Sequence, residues 1–181
     1  MLHFIYTQPL SRVIIAMAIA IAIWGYARTK LYGKRWNIAN ALLACGMVMA
    51  ILCITIMGRT TGERTLILKP FASLTVARTQ SEAYRELLMN IFLFFPLGLT
   101  LSNALPQSWG RWRRIGLTVT IGLLLSAGIE YTQYRFALGV AETDDVICNT
   151  LGVFIGSTSL LIAHGIEKYK EKTIKHDSNK N

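Results

Sequence analysis

The sequence predicts an all-α integral membrane protein, a bundle of about five transmembrane helices with the N-terminus outside and the C-terminus in the cytoplasm. Three observations carry that expectation. Five stretches hold no charged residue: between Arg12 and Arg28, Arg35 and Arg59, Glu86 and Arg111, Arg114 and Glu130, and Asp145 and Glu167. The 181 residues are 52% hydrophobic and only 16% charged, with mean hydropathy +0.40, whereas about a quarter of a soluble domain is charged. The lysines and arginines are divided unevenly between the ends of those stretches. The same composition excludes a disordered chain and a disulfide-stapled secreted miniprotein.

A helix crossing the hydrocarbon needs about 20 mostly apolar residues, because each adds ~1.5 Å against a core ~30 Å thick. The apolar runs place helices at 10–27, 36–57, 87–105, 115–138 and 145–164. The first, SRVIIAMAIAIAIWGYA, has the flanks of a retained helix. One arginine, Arg12, stands at its start and Arg28, Lys30, Lys34 and Arg35 follow, the reverse of an export signal's charge order. Pro96 should kink the third helix. Glycine and other small residues recur in all five, as close helix contact in lipid requires. A soluble bundle would need polar faces that these runs lack.

Orientation follows from the basic residues. One side receives Arg28, Lys30, Lys34 and Arg35, then Arg111, Arg113 and Arg114, then the lysine-rich tail after residue 164. The other holds Arg12, Arg59, Arg64, Lys69, Arg78, Arg85 and Arg135, mostly in one longer loop. The positive-inside bias puts the first side in the cytoplasm. Trp24, Trp36, Trp109 and Trp112 all fall at that same boundary, where amphipathic rings anchor. Basic inner loops against anionic headgroups account for the net charge of +9 without nucleic acid. Cys45, Cys53 and Cys148 are odd in number and sit within helices, which argues against a disulfide framework.

The chain divides into residues 1–65, two transmembrane helices joined by a basic loop; residues 66–164, three further helices; and a basic tail at 165–181. The outer loop at 58–86 contains LILKPFASL, apolar but too short to cross, which predicts a partly re-entrant passage.

Polar residues inside or beside the spans mark the candidate site. An ionisable group within a span costs several kcal/mol and is a functional candidate by default. Asn90 lies one turn into the third helix. Glu130, Gln133 and Tyr134 stand at i, i+3 and i+4 in the fourth, on one face. Glu142 and Asp145 precede the fifth helix and Asn149 lies a turn inside it. If the turn at 142 is already helical, these three share a face as well. The predicted ligand-binding set is therefore Asn90, Glu130, Gln133, Glu142, Asp145 and Asn149, gathered at one depth near the outer surface. Plainer roles stand beside it. Asp144 and Asp145 suit capping of the fifth helix. Asn90 and Asn149 suit interhelical hydrogen bonding. Glu130 suits pairing with Arg135 or Arg85.

At these residues the chain resembles a known family. The segments LILKPF, MNIFLFFPLGL (89–99), IEYTQ (129–133) and TDDVICNTLGVFIG (143–156) are similar to the VanZ-like membrane proteins, in the family's order, over about residues 66–160. The match makes 66–164 the VanZ-like region. The motif positions fall on Pro70 and Phe71; Asn90, Pro96 and Gly98; Glu130 and Gln133; and Glu142, Asp145, Asn149 and Gly152. Glu142 stands where many relatives have aspartate, and LGVA (138–141) stands where many carry an arginine. The resemblance implies a multi-pass protein of the Gram-positive cell membrane that confers antibiotic resistance, lowering susceptibility to glycopeptides of the teicoplanin kind.

The residues themselves are compatible with three uses. An outer cluster of carboxylates and amides suits engagement of a cell-wall precursor or of the lipoglycopeptide at the outer leaflet, with basic loop residues available for phosphates. Such oxygens also suit a divalent cation, Mg²⁺ or Ca²⁺, serving a metal-assisted enzyme on a lipid-linked envelope substrate. A small transporter or flippase component is the third, resting on the intramembrane Glu130. No HExxH, GxSxG or clustered histidine is present, so the common zinc and hydrolase arrangements drop out.

Overall fold

The computed structural model of the chain describes residues 10–31, 33–57, 59–77 and 81–178. Helix α1 spans Leu10–Lys30 and α2 spans Lys34–Leu52, continuing into a π-helical turn at Cys53–Met57. A short strand β1 (Thr65–Ile67) and a six-residue helix α3 (Ala72–Ala77) follow. Then come α4 (Ser81–Ala104), α5 (Arg111–Phe136), strand β2 (Val140–Glu142), α6 (Thr143–Ser157) and α7 (Ser159–Ser178).

Among the described residues, five helical stretches are long and apolar enough to cross a membrane: Arg12–Lys30, Lys34–Met57, Glu82–Ala104, Arg111–Phe136 and Thr143–Thr173. These are the five runs the sequence marks out. The last is α6 and α7 joined at Thr158. Helix α7 continues through Ser178, so most of the basic segment after residue 164 is helical.

Two of these helices approach closely because their facing residues lack side chains. A Cβ on Gly152 would run into the backbone of Ile91, one on Gly156 into that of Phe95, and one on Gly98 into that of Val153. Gly152 and Gly156 stand four apart on α6, the spacing that lets helix backbones meet in an apolar medium. Pro96 lies in α4 between these contacts, and the Thr100 hydroxyl donates to its carbonyl at 2.8 Å. The apolar core, Ala44, Ile51, Phe94, Leu97, Ile129 and Val153, draws on α2, α4, α5 and α6. Helix α1 packs along α7, with Gly25 against Ile162 and the Ser159 carbonyl. Its other face presents Ile14, Ile15, Ile19 and Ile23, all more than half exposed, as a surface facing lipid would be.

Two of the tryptophans meet at one end. Trp24 and Trp36 rings lie 6.2 Å apart, and the Trp24 indole donates to Asn40 Oδ1 at 2.9 Å. The Arg113 guanidinium lies 4.3 Å from the Trp109 ring. At the opposite end the segment after α2 folds over the bundle. Strand β1 pairs in parallel with β2, Ile67 beside Glu142, so the LILKPF segment is a strand and a helical turn laid across the helix ends. Helix α5 stops there with Ala137 left-handed at φ 53° and Leu138 N–H returning to the Gln133 carbonyl, a Schellman-type closure.

Candidate functional site

Under that folded segment the ends of α4 and α6 frame a cavity of about 330 Å³, lined among others by Arg59, Ser73, Glu86, Asn90, Glu142 and Asp145. The Asn90 amide donates to Asp145 Oδ1 at 2.6 Å, joining α4 to α6. Glu142 is not helical. It is the last residue of β2, with φ −127° and ψ 136°, so the shared helical face with Asp145 does not form. Both nonetheless line the cavity, because the strand turns directly into α6. The Ser73 hydroxyl donates to Glu142 Oε2. Three carboxylates (Glu86, Glu142, Asp145) and one guanidinium (Arg59) therefore border one space. Among the described residues no group of three histidine, cysteine or acidic side chains is close enough to hold a metal ion.

The remaining expected site residues lie elsewhere. Glu130 is 8% exposed, and its Oε2 accepts the backbone N–H of Glu142 at 3.0 Å. It braces the strand behind the cavity and hydrogen-bonds to backbone rather than to Arg135 or Arg85. Arg135 instead stacks near Phe136. Gln133 is buried on α5, and its amide donates to the Thr55 carbonyl at 3.0 Å. That carbonyl belongs to the π-helical turn, where the regular i→i−4 ladder is interrupted. Asn149 donates to Ser126 Oγ at 2.9 Å, tying α6 to α5. The six residues thus form one contact pair in a cavity with Glu142 beside it, one brace and two interhelical ties.

Asp144 also departs from the capping role expected of it. Its carboxylate accepts the backbone N–H groups of Phe71 and Ser73, the latter at 2.8 Å. It serves the start of α3 on the facing segment rather than its own helix.

Residues 13–164 match the VanZ/LLP1 family. The chain belongs to that family. Protein VanZ of Enterococcus faecium is 33% identical over 96 residues, which cover 52% of this chain and 51% of that protein. The chain thus spans about half the length of this curated relative. No solved structure matches.

The VanZ/LLP1 match begins inside α1, well before the motif blocks at 66–160. Pro70–Phe71 is the turn fixed by Asp144, with Phe71 left-handed at φ 61°. Gly98 and Gly152 are contact points between α4 and α6. Asn90, Glu142 and Asp145 meet at the cavity. Three polar residues of the cavity wall, Arg59, Ser73 and Glu86, fell outside the predicted set. Glu86 stands one turn before Asn90 on α4, a spacing the sequence offered. Arg59 and Ser73 lie in the 58–80 segment, where no periodicity points to them.

Proposed function

We propose that this protein lowers susceptibility to lipoglycopeptides such as teicoplanin by engaging a cell-wall precursor, or the drug, in the cavity bordered by Arg59, Glu86, Asn90, Glu142 and Asp145. The observation that carries the reading is that cavity of about 330 Å³ with carboxylates and a guanidinium on its walls. Opposite charges on one rim suit a ligand that carries both an amino group and an anionic group. The family name supports the resistance role. The excess of lysine and arginine at the opposite end supports placing the cavity outside, with the C-terminus in the cytoplasm. In that orientation a ligand reaches the cavity from the outer leaflet.

The test is drug susceptibility of a sensitive Gram-positive host. The parent is compared with Asp145→Asn and Arg59→Gln at matched membrane levels, with teicoplanin and vancomycin side by side. The parent raises the inhibitory concentration of teicoplanin, and both variants return it to that of the host with an empty vector. Equal protection by parent and variants overturns the reading.

A further inference from the structure

At the end of the bundle opposite the cavity, a groove of about 410 Å³ runs between α2 and the turn that joins α4 to α5. Lys34, Asn37, Ile38 and Ala41 form one wall, and Ala104 and Gln107 stand on the other. The α2 residues are spaced i, i+3, i+4 and i+7, so the groove follows one helix face for about 10 Å. Asn37 ties the two walls together. Its amide donates to the Leu105 carbonyl at 3.2 Å, and its Oδ1 accepts from the Gln107 amide at 3.4 Å. With those amides engaged, what remains is a mostly apolar trough with the Lys34 ammonium at its head. Among the described residues no acid pairs with that ammonium.

Position limits what can lie there. Lys34 is the first residue of the apolar span Lys34–Met57, and the Trp24–Trp36 pair sits at the same level, as at a headgroup boundary. The groove therefore starts among headgroups and descends into hydrocarbon. Ile38 on its wall is 49% exposed, so the trough opens to the bilayer. A trough of this volume and length admits an acyl chain; a helix, about 10–12 Å across with its side chains, is too wide.

Charge decides the headgroup. The first turn of α2 carries Lys34 and Arg35 and no acid, and no side chain caps it. The free N–H groups already make that end of a helix positive, so both cations sit where the helix disfavours them. A phosphate without a compensating amine offsets both. The ammonium of a zwitterionic headgroup is repelled there.

We propose that this groove seats one acyl chain of an anionic phospholipid, with the phosphate against Lys34 and the start of α2. The site is separate from the cavity of the proposed function, and its test does not depend on drug resistance.

The full chain, purified and delipidated in a neutral detergent, is titrated with phosphatidylglycerol or with phosphatidylcholine of the same acyl chains, and the first bound lipid is followed by native mass spectrometry. Phosphatidylglycerol binds saturably and about fivefold more tightly than phosphatidylcholine. Lys34→Gln removes that preference. Ala41→Phe fills the trough and weakens phosphatidylglycerol by about tenfold. Both substitutions are at exposed positions, where the fold tolerates them. Lys170→Gln removes the same charge from an exposed position on α7, which lines no part of the groove, and keeps the preference. The proposal is overturned if the parent binds the two lipids equally, or if Ala41→Phe binds phosphatidylglycerol as well as the parent does. It is also overturned if Lys170→Gln erases the preference as fully as Lys34→Gln.

Discussion

The carboxylate of Asp144 holds the backbone of Phe71. It reaches from the first turn of α6 to the Phe71 N–H and, through its second oxygen, to the Ser73 N–H at 2.8 Å. Phe71 sits at φ 61°, a left-handed conformation that a residue with a Cβ adopts at some cost. The carboxylate offsets that cost by satisfying two donors at the start of α3 that have no partner within their own helix. One side chain thereby fixes the wall of the cavity that carries Ser73.

Asp144→Ala leaves those two donors unpaired. The expected loss is about 1–3 kcal/mol, concentrated in the 65–77 segment. Asp144→Asn retains one acceptor oxygen and loses less. Amide exchange across residues 65–77 in the detergent-solubilised protein is the measurement. Protection that stays at the parent level in Asp144→Ala shows that the anchor does not govern this segment.

Gly152→Ala drives a methyl group into the Ile91 backbone, which cannot retreat without opening the α4–α6 contact. Overpacking of this kind costs about 1–3 kcal/mol. Gly128→Ala on α5, where a Cβ meets nothing within 4 Å, serves as the control. It should be neutral, or stabilising by up to about 1 kcal/mol through helix propensity. Thermal melting of the two variants separates close packing from a general intolerance of alanine.

Gln133→Leu and Asn149→Leu each remove one interhelical hydrogen bond together with one unpartnered buried oxygen. Such bonds in membranes contribute roughly 0.6–2 kcal/mol, so both variants should melt slightly earlier. Neither residue lines the cavity, so teicoplanin protection at matched levels should persist. Loss of protection in a well-folded Asn149→Leu would move Asn149 back into the ligand site.

Orientation is read by cysteine labelling. In a background without Cys45, Cys53 and Cys148, a cysteine at Glu63 should react with a membrane-impermeant maleimide on intact cells. One at Lys172 should react only after permeabilisation. Both positions are exposed in the fold. The opposite pattern would put the cavity on the cytoplasmic side and remove the outer-leaflet reading.

The five apolar helices and the polar residues near their ends could be read from the chain alone. This is because membrane insertion imposes a length and a composition on each span separately, and a charge inside one stands out wherever its neighbours lie. Recurring small residues were legible as a helix-contact signal, while Gly98 and Gly152 were singled out by the family resemblance. What each polar residue touches depends on how the helices pack. Helical spacing placed Glu130 and Gln133 on one face, yet that face meets a strand at Glu142 and a π-helical turn at Thr55. Helix spacing could not place Glu142, because pairing with Ile67, distant in the chain, makes it a strand. Arg114 was read as a positive charge at a membrane boundary and turned out to be buried, its guanidinium donating to the Ser102 carbonyl of α4. A hydrogen bond between residues tens of positions apart leaves no period in the chain, so the site's partners appear only once the helices are packed.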